Sequence, residues 1–187
     1  KLLDVSADQK GPLIIVFGGI HGNEHAGLKA MQAVQRAFDQ ELMRLKAGRV
    51  VGMAGNMPAL KRGLRYQDSD MNRIWIKTHV ENLKKKGEAA YRCKEDHELL
   101  ALVQQVHEIE QEHDNCFDRI FIDLHSFSAP GGLFSITMPT EKHASLAGVL
   151  KAPMIFGIIE HLNGTALHYF DHQGYCSIGF EGGQHEH

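Results

Sequence analysis

Leu13-Ile14-Ile15-Val16-Phe17, an unbroken apolar run closed by Gly18-Gly19, constrains this chain more than any other segment. A strand with one face in water alternates polar and apolar residues. A strand that is apolar at every position has both faces covered, as in a parallel sheet with helices above and below. Residues 26–46 follow, with Leu28, Met31, Val34, Phe38, Leu42 and Leu45 at three- to four-residue spacing; this predicts a helix that Gly48 stops. Residues 49–57 read as a second strand, and residues 95–113 as a long helix through Leu99, Leu102, Val103, Val106 and Ile109. Residues 119–124 are another buried strand, leading into His125. Shorter strands are predicted over 132–138, 154–159 and 177–180, with a short helix over 141–150. Strands alternating with helices predict an α/β domain whose central sheet, mostly parallel or mixed, is flanked by helices on both faces. A chain of 187 residues suits one such domain, spanning 1–187.

Two stretches lack this periodicity. Residues 58–77 are rich in Arg, Asp and Asn and read as a long loop, a kind of segment that is usually functional. Lys84-Lys85-Lys86 reads as a solvated charge cluster.

Composition excludes several partners. A net charge of −3 offers no basic footprint for nucleic acid or an anionic membrane. No apolar run approaches the roughly 20 residues that span a bilayer. The opening Lys1-Leu2-Leu3-Asp4 does not read as a signal peptide. Cys93, Cys116 and Cys176 are odd in number and scattered, so no disulfide framework is expected and a reducing cytoplasm is. The ending Gln184-His185-Glu186-His187 reads as a solvent-exposed tail and suggests a fragment or processed chain.

His21, His125 and Glu181 each fall at or just past the end of a predicted buried strand, the edge where open α/β sheets bind ligands. In His21-Gly22-Asn23-Glu24 a strand ends and the chain turns on glycine, so His21 and Glu24 can converge on one ion. Catalytic zinc takes three ligands from His and carboxylate and keeps a position for water. Asp123-Leu124-His125 supplies the third ligand, with Asp123 on the same side of its strand as His125 and able to orient it. The segment His21 to His25 also matches H-x-x-E-H, where both histidines bind metal and the glutamate is the base. Gly22 and Asn23 form helix poorly, so the strand-to-loop context favours the first arrangement. Arg62, Arg65, Asn72 and Arg73 in the loop suit carboxylate binding and oxyanion stabilisation, with Asp68 and Asp70 orienting the arginines. Glu181, beside a metal, suits proton transfer between water and a leaving amine.

These blocks, in this order, resemble the aspartoacylase and succinylglutamate desuccinylase family, relatives of the zinc carboxypeptidases. The matching pieces are Gly19-Ile20-His21-Gly22-Asn23-Glu24-His25-Ala26-Gly27, then Asn56-Met57-Pro58-Ala59 leading through Arg65 to Asp70-Met71-Asn72-Arg73, then Asp123-Leu124-His125 and Gly179-Phe180-Glu181. The resemblance implies one zinc ion on His21, Glu24 and His125, with Glu181 as general acid/base. It implies that Arg65 polarises the scissile carbonyl and that Asn72 and Arg73 grip the carboxylate of the amino-acid part. The implied reaction is hydrolysis of the amide of a small N-acyl amino acid; self-association is left open. A metallocarboxypeptidase acting on peptide C-termini and a non-catalytic metal-binding fragment are the alternatives. Members acting on dicarboxylic substrates place a further arginine shortly before the catalytic glutamate, but no arginine follows Arg119 here, and Asp171 and His172 occupy that region. The family also carries a smaller β-rich domain after that glutamate, which this sequence is expected to lack.

Overall fold

The computed structural model describes residues 1–113 and 117–185. Among these residues seven strands form one sheet: β1 (Leu3–Ser6), β2 (Leu13–Gly18), β3 (Arg49–Ala54), β4 (Arg119–Phe127), β5 (Phe134–Thr137), β6 (Met154–Ile155) and β7 (Cys176–Gln184). Six α-helices accompany them: α1 (Ala26–Asp39), α2 (Met57–Leu60), α3 (Lys77–Lys86), α4 (Glu95–Gln111), α5 (Glu141–Gly148) and α6 (Ala166–His172). The strand order is β1-β3-β2-β4-β7-β5-β6. The central four, β3-β2-β4-β7, are parallel, while β1 and β5 pair antiparallel at either side. The sheet is therefore mixed around a parallel centre.

The apolar run of β2 divides between two cores, as a doubly covered strand must. Leu13, Ile15 and Phe17 point into the larger core, against Val80 and Leu83 of α3, Leu99 to Ile109 of α4, and Leu167 and Phe170 of α6. Ile14 and Val16 face the other side, where Met31, Val34 and Phe38 of α1 cover them. An aromatic cluster anchors the larger core: Phe17 meets Phe121 edge-on at 5.0 Å and Phe121 stacks on Phe170 at 4.1 Å. Each such ring contributes about 1.5–3 kcal/mol by leaving water.

Several boundaries differ from the sequence expectation. The first helix ends at Asp39, well before Gly48. Glu41 takes a left-handed φ of 57°, Glu41 N–H bonds Phe38 O and Leu42 N–H bonds Ala37 O. That pair of bonds is a Schellman stop. Leu42, the continuation of the apolar spacing, is left 74% exposed. The stretch 58–77 is not structureless, since Asn56 caps α2 through Ala59 N–H and Met71–Arg73 form a 3-10 turn. The three lysines at 84–86 close the last turn of α3 on its exposed side, where they complement the helix dipole. The strand expected over 154–159 shortens to β6, followed by a 3-10 turn at Ile159–His161. Elements β1, α3 and α6 went unpredicted. Cys93 and Cys176 are free thiols, while Cys116 lies outside the described residues. Among the described residues no helix is long and apolar enough to cross a membrane.

Candidate metal centre

His21 lies three residues beyond β2, in a turn that glycine makes possible. Gly19 has φ +71°, and a Cβ on Gly22 would sit 2.2 Å from the backbone carbon of Ala59. The close approach lets Gly22 N–H bond Arg65 O at 3.1 Å, which ties the histidine turn to the arginine loop. Glu24 closes that turn, before α1 begins at Ala26. His125 and Glu181 lie inside β4 and β7 rather than at their ends, where they are direct register partners. Both strands run past the end of β2, which stops at Gly18 opposite Leu124. The register slips just after this pair, where Gly182 and Gly183 add one residue to β7.

His21, Glu24 and His125 come together: one ligand atom from each lies within 4.8 Å of the others. His21 Nδ1 is 2.8 Å from Glu24 Oε1, and His125 Nδ1 is 3.0 Å from Glu24 Oε2. The outer ring nitrogens each meet a carboxylate, His21 Nε2 at 3.0 Å from Asp70 and His125 Nε2 at 2.9 Å from Asp123. An imidazole that donates from Nε2 turns a lone pair toward Glu24 from Nδ1. Two lone pairs against one carboxylate repel unless a cation lies between them or both rings take an extra proton. The proton affinities register that tension. Burial alone would depress the histidines, but Asp70 and Glu24 lift His21, and Asp123 and Glu24 lift His125 well above the ordinary range. Burial would raise Glu24, yet its bonds to His125 and His21 hold it below the usual carboxylate range. Two imidazoles, one carboxylate and an outer carboxylate on each ring form a donor set that fits a divalent metal. His25 is exposed at the start of α1 and stands outside the set, so the H-x-x-E-H arrangement does not form.

The set opens on a cavity of about 180 Å³. Arg65, Asn72, Arg73 and Glu181 all line it, together with His21 and His125. Glu181 is half-buried, and its Oε2 is buried with no hydrogen-bond partner. Burial, and then the nearby charges of Glu24 and Asp123, push its carboxyl above the ordinary range against the opposing pull of His125. Arg65 lies 3.5 Å from Glu24 and 3.2 Å from Asp70. The Asn72 amide is oriented by Ala166 N–H, which bonds its Oδ1 at 2.9 Å and leaves Nδ2 facing His125 at 3.3 Å. Arg62 is exposed and does not line the cavity.

Two anchors were missed from the sequence. Asp70 orients His21 rather than only an arginine, and it also caps Asn72 N–H at 2.9 Å. Glu95 is fully buried at the start of α4 and gathers the loop: its carboxylate accepts from Gln67 N–H at 2.6 Å, Ser69 N–H at 3.1 Å, Asp68 N–H at 3.2 Å and Asn56 Nδ2 at 3.3 Å. An acidic residue opening a helix after a long loop was the available signal. His185 is not a free tail residue either, since its Nδ1 is 2.8 Å from Ser126 Oγ. His187 lies outside the described residues.

Residues 10–186 match the succinylglutamate desuccinylase/aspartoacylase catalytic domain. The chain belongs to that family. Within the desuccinylase/aspartoacylase family it is similar to a succinylglutamate desuccinylase of Pseudomonas paraeruginosa, 31% identical over 126 residues, which are 67% of this chain and 34% of that protein. The match thus spans about a third of the relative's length. The fold is similar to that of a succinylglutamate desuccinylase from Chromobacterium violaceum, with a TM-score of 0.73 at 16% identity over 98% of this chain and 57% of that one. It is also similar to a metallo-carboxypeptidase from Burkholderia cenocepacia, with a TM-score of 0.61 at 16% identity over 96% and 50% of the two chains.

Proposed function

We propose that this domain is a zinc-dependent hydrolase that removes the acyl group from a small N-acyl amino acid. The observation that carries the reading is Glu181: a carboxylate with an unpartnered buried oxygen, in register with His125 and opening on the same cavity as the metal-ligand set. His21, Glu24 and His125 would hold the ion. Bound there, zinc supplies Lewis acidity, which lowers the pKa of water and activates a carbonyl.

The protein's own groups then divide the work. Glu181 takes a proton from the attacking water and returns it to the amide nitrogen as the carbon–nitrogen bond breaks, which suits a carboxyl whose proton affinity is raised by burial. Arg65 places a guanidinium where the carbonyl oxygen gains negative charge. Asn72 and Arg73 hold the carboxylate of the amino-acid part. Asp70 and Asp123 keep the two imidazoles turned toward Glu24. The products are a carboxylic acid and a free amino acid. This reading makes residues 1–187 one catalytic domain acting on a free small molecule, not on nucleic acid or a lipid surface.

The fold likeness to a metallo-carboxypeptidase supports a second reading, release of C-terminal residues from peptides, because the same groups would serve it. Hydrolysis of N-acyl amino acids and of short peptides, with and without a chelator, separates the two. Deacylation that is abolished by the chelator and restored by zinc is the expected result. Peptide trimming without deacylation selects the second reading, and chelator-insensitive turnover overturns both.

A further inference from the structure

The cavity has an uneven charge inventory. Among the described residues, and apart from its histidines, the cations that line it are Arg65 and Arg73. Arg65 lies against Asp70 and Glu24 and is the group assigned above to the carbonyl oxygen. Arg73 makes no ion pair among the described residues; its guanidinium bonds the Asn72 carbonyl oxygen at 2.6 Å and otherwise opens on the cavity. An apolar face of Ile136 of β5, Leu162, and Leu167 of α6, the last resting over Gly179 of β7, lies beside the neutral Asn72 and Thr165, whose hydroxyl is taken up by Leu162 O and His168 N–H. Two acids, Asp123 and Glu181, complete it.

One uncommitted guanidinium matches one carboxylate. We propose that the site takes monoanionic N-acyl amino acids: a neutral amino acid whose single carboxylate meets Arg73, carrying an uncharged acyl group that rests against Ile136, Leu162 and Leu167. The proposal rests on the deacylase reading above and deepens it. A second carboxylate on either half of the substrate would lie against the apolar wall or beside Asp123 and Glu181. A charge desolvated there without a partner is strongly disfavoured. Succinylglutamate, with three carboxylates, is therefore a poor match for this cavity, although the relatives are named for it.

The test compares N-acetylalanine with N-succinylalanine, which adds charge on the acyl half, and with N-acetylaspartate, which adds it on the amino-acid half. On the zinc-loaded protein kcat/KM for N-acetylalanine should exceed the other two by on the order of 100-fold or more, since an apolar pocket already rejects an added neutral hydroxyl by about that factor. Calorimetric binding to the Glu181→Gln variant should give the same order without turnover. Leu162→Arg, with its folding checked by circular dichroism, should swing the ratio toward N-succinylalanine by about tenfold or more. Equal or better turnover of the dianions overturns the monoanion proposal while leaving deacylation standing. A preference for monoanions that Leu162→Arg does not shift overturns the role given to the apolar wall. Failure of every N-acyl amino acid both to bind and to react removes the deacylase reading, and this proposal with it.

Discussion

His125 and Glu181 ride on neighbouring strands, whereas Arg65, Asp70, Asn72 and Arg73 ride on a loop with only a 3-10 turn of regular structure. The strand half is positioned by a backbone ladder that holds six successive pairs from Ile120–Cys176 to His125–Glu181 in register. The loop half has no ladder. It is held by side chains instead: Glu95 from α4 collects three backbone N–H groups, and Trp75, 1% exposed, sinks the following segment into the aromatic core. Of the groups proposed to share a metal or move a proton, His125 and Glu181 sit on the ladder, while His21 and Glu24 sit in the tight turn between β2 and α1. Groups that meet a substrate from outside sit on the part that one buried carboxylate fastens.

Four substitutions test that division. Glu181→Gln removes the proposed proton carrier and leaves the ladder intact. Turnover should fall by about 10²–10⁴-fold, with bound zinc unchanged by elemental analysis. Normal activity in this variant would remove Glu181 from the mechanism. Glu95→Gln turns amide hydrogens toward N–H donors and orphans at least one of them, at about 1–3 kcal/mol. Urea unfolding should record that loss, and KM should rise more than kcat falls if the loop has the substrate-holding role proposed for Asn72 and Arg73. Unaltered stability and KM together would mean that the loop is held elsewhere.

The third change, Asp123→Asn, keeps the shape on β4 but weakens the orientation of His125. Zinc affinity should drop by about 10–100-fold in competition with a chromogenic chelator. If zinc is held as tightly as before, Asp123 does not orient the ligand. Leu42→Ser is the control outside both halves. Leu42 is 74% exposed after the Schellman stop, so stability should move by no more than about 0.5 kcal/mol. A larger loss would place Leu42 in a contact that its exposure does not suggest.

The strand half was largely legible in the sequence and the loop half was not. An apolar run followed by a polar residue made His21, His125 and Glu181 stand out in sequence, although β4 and β7 carry on through His125 and Glu181. Asp123 followed from the two-residue repeat. Asp70 and Glu95 act over 49 and 26 to 39 residues through side-chain bonds that no local period encodes. The same limit explains the boundary errors. In α1 the apolar spacing runs on to Leu45, but Glu41 adopts a left-handed conformation that a non-glycine residue rarely takes. In α6 only two turns form, and its Thr165 cap, which accepts from His168 N–H, was the signal available. The edge strand β1 showed an alternation of Leu3 and Val5 with Asp4 and Ser6 that was too short to stand out.

The position of β7 in the sheet has a consequence for the order of events during folding. It is the last strand among the described residues, yet it lies between β4 and β5, not at an edge. Until it inserts, β4 has a bare flank and β5 and β6 have no attachment to the other strands. Unpaired flanks of that kind invite intermolecular association. The insertion that closes the gap also delivers Glu181 beside His125. Catalytic competence and protection from aggregation should therefore arrive in the same late, long-range step.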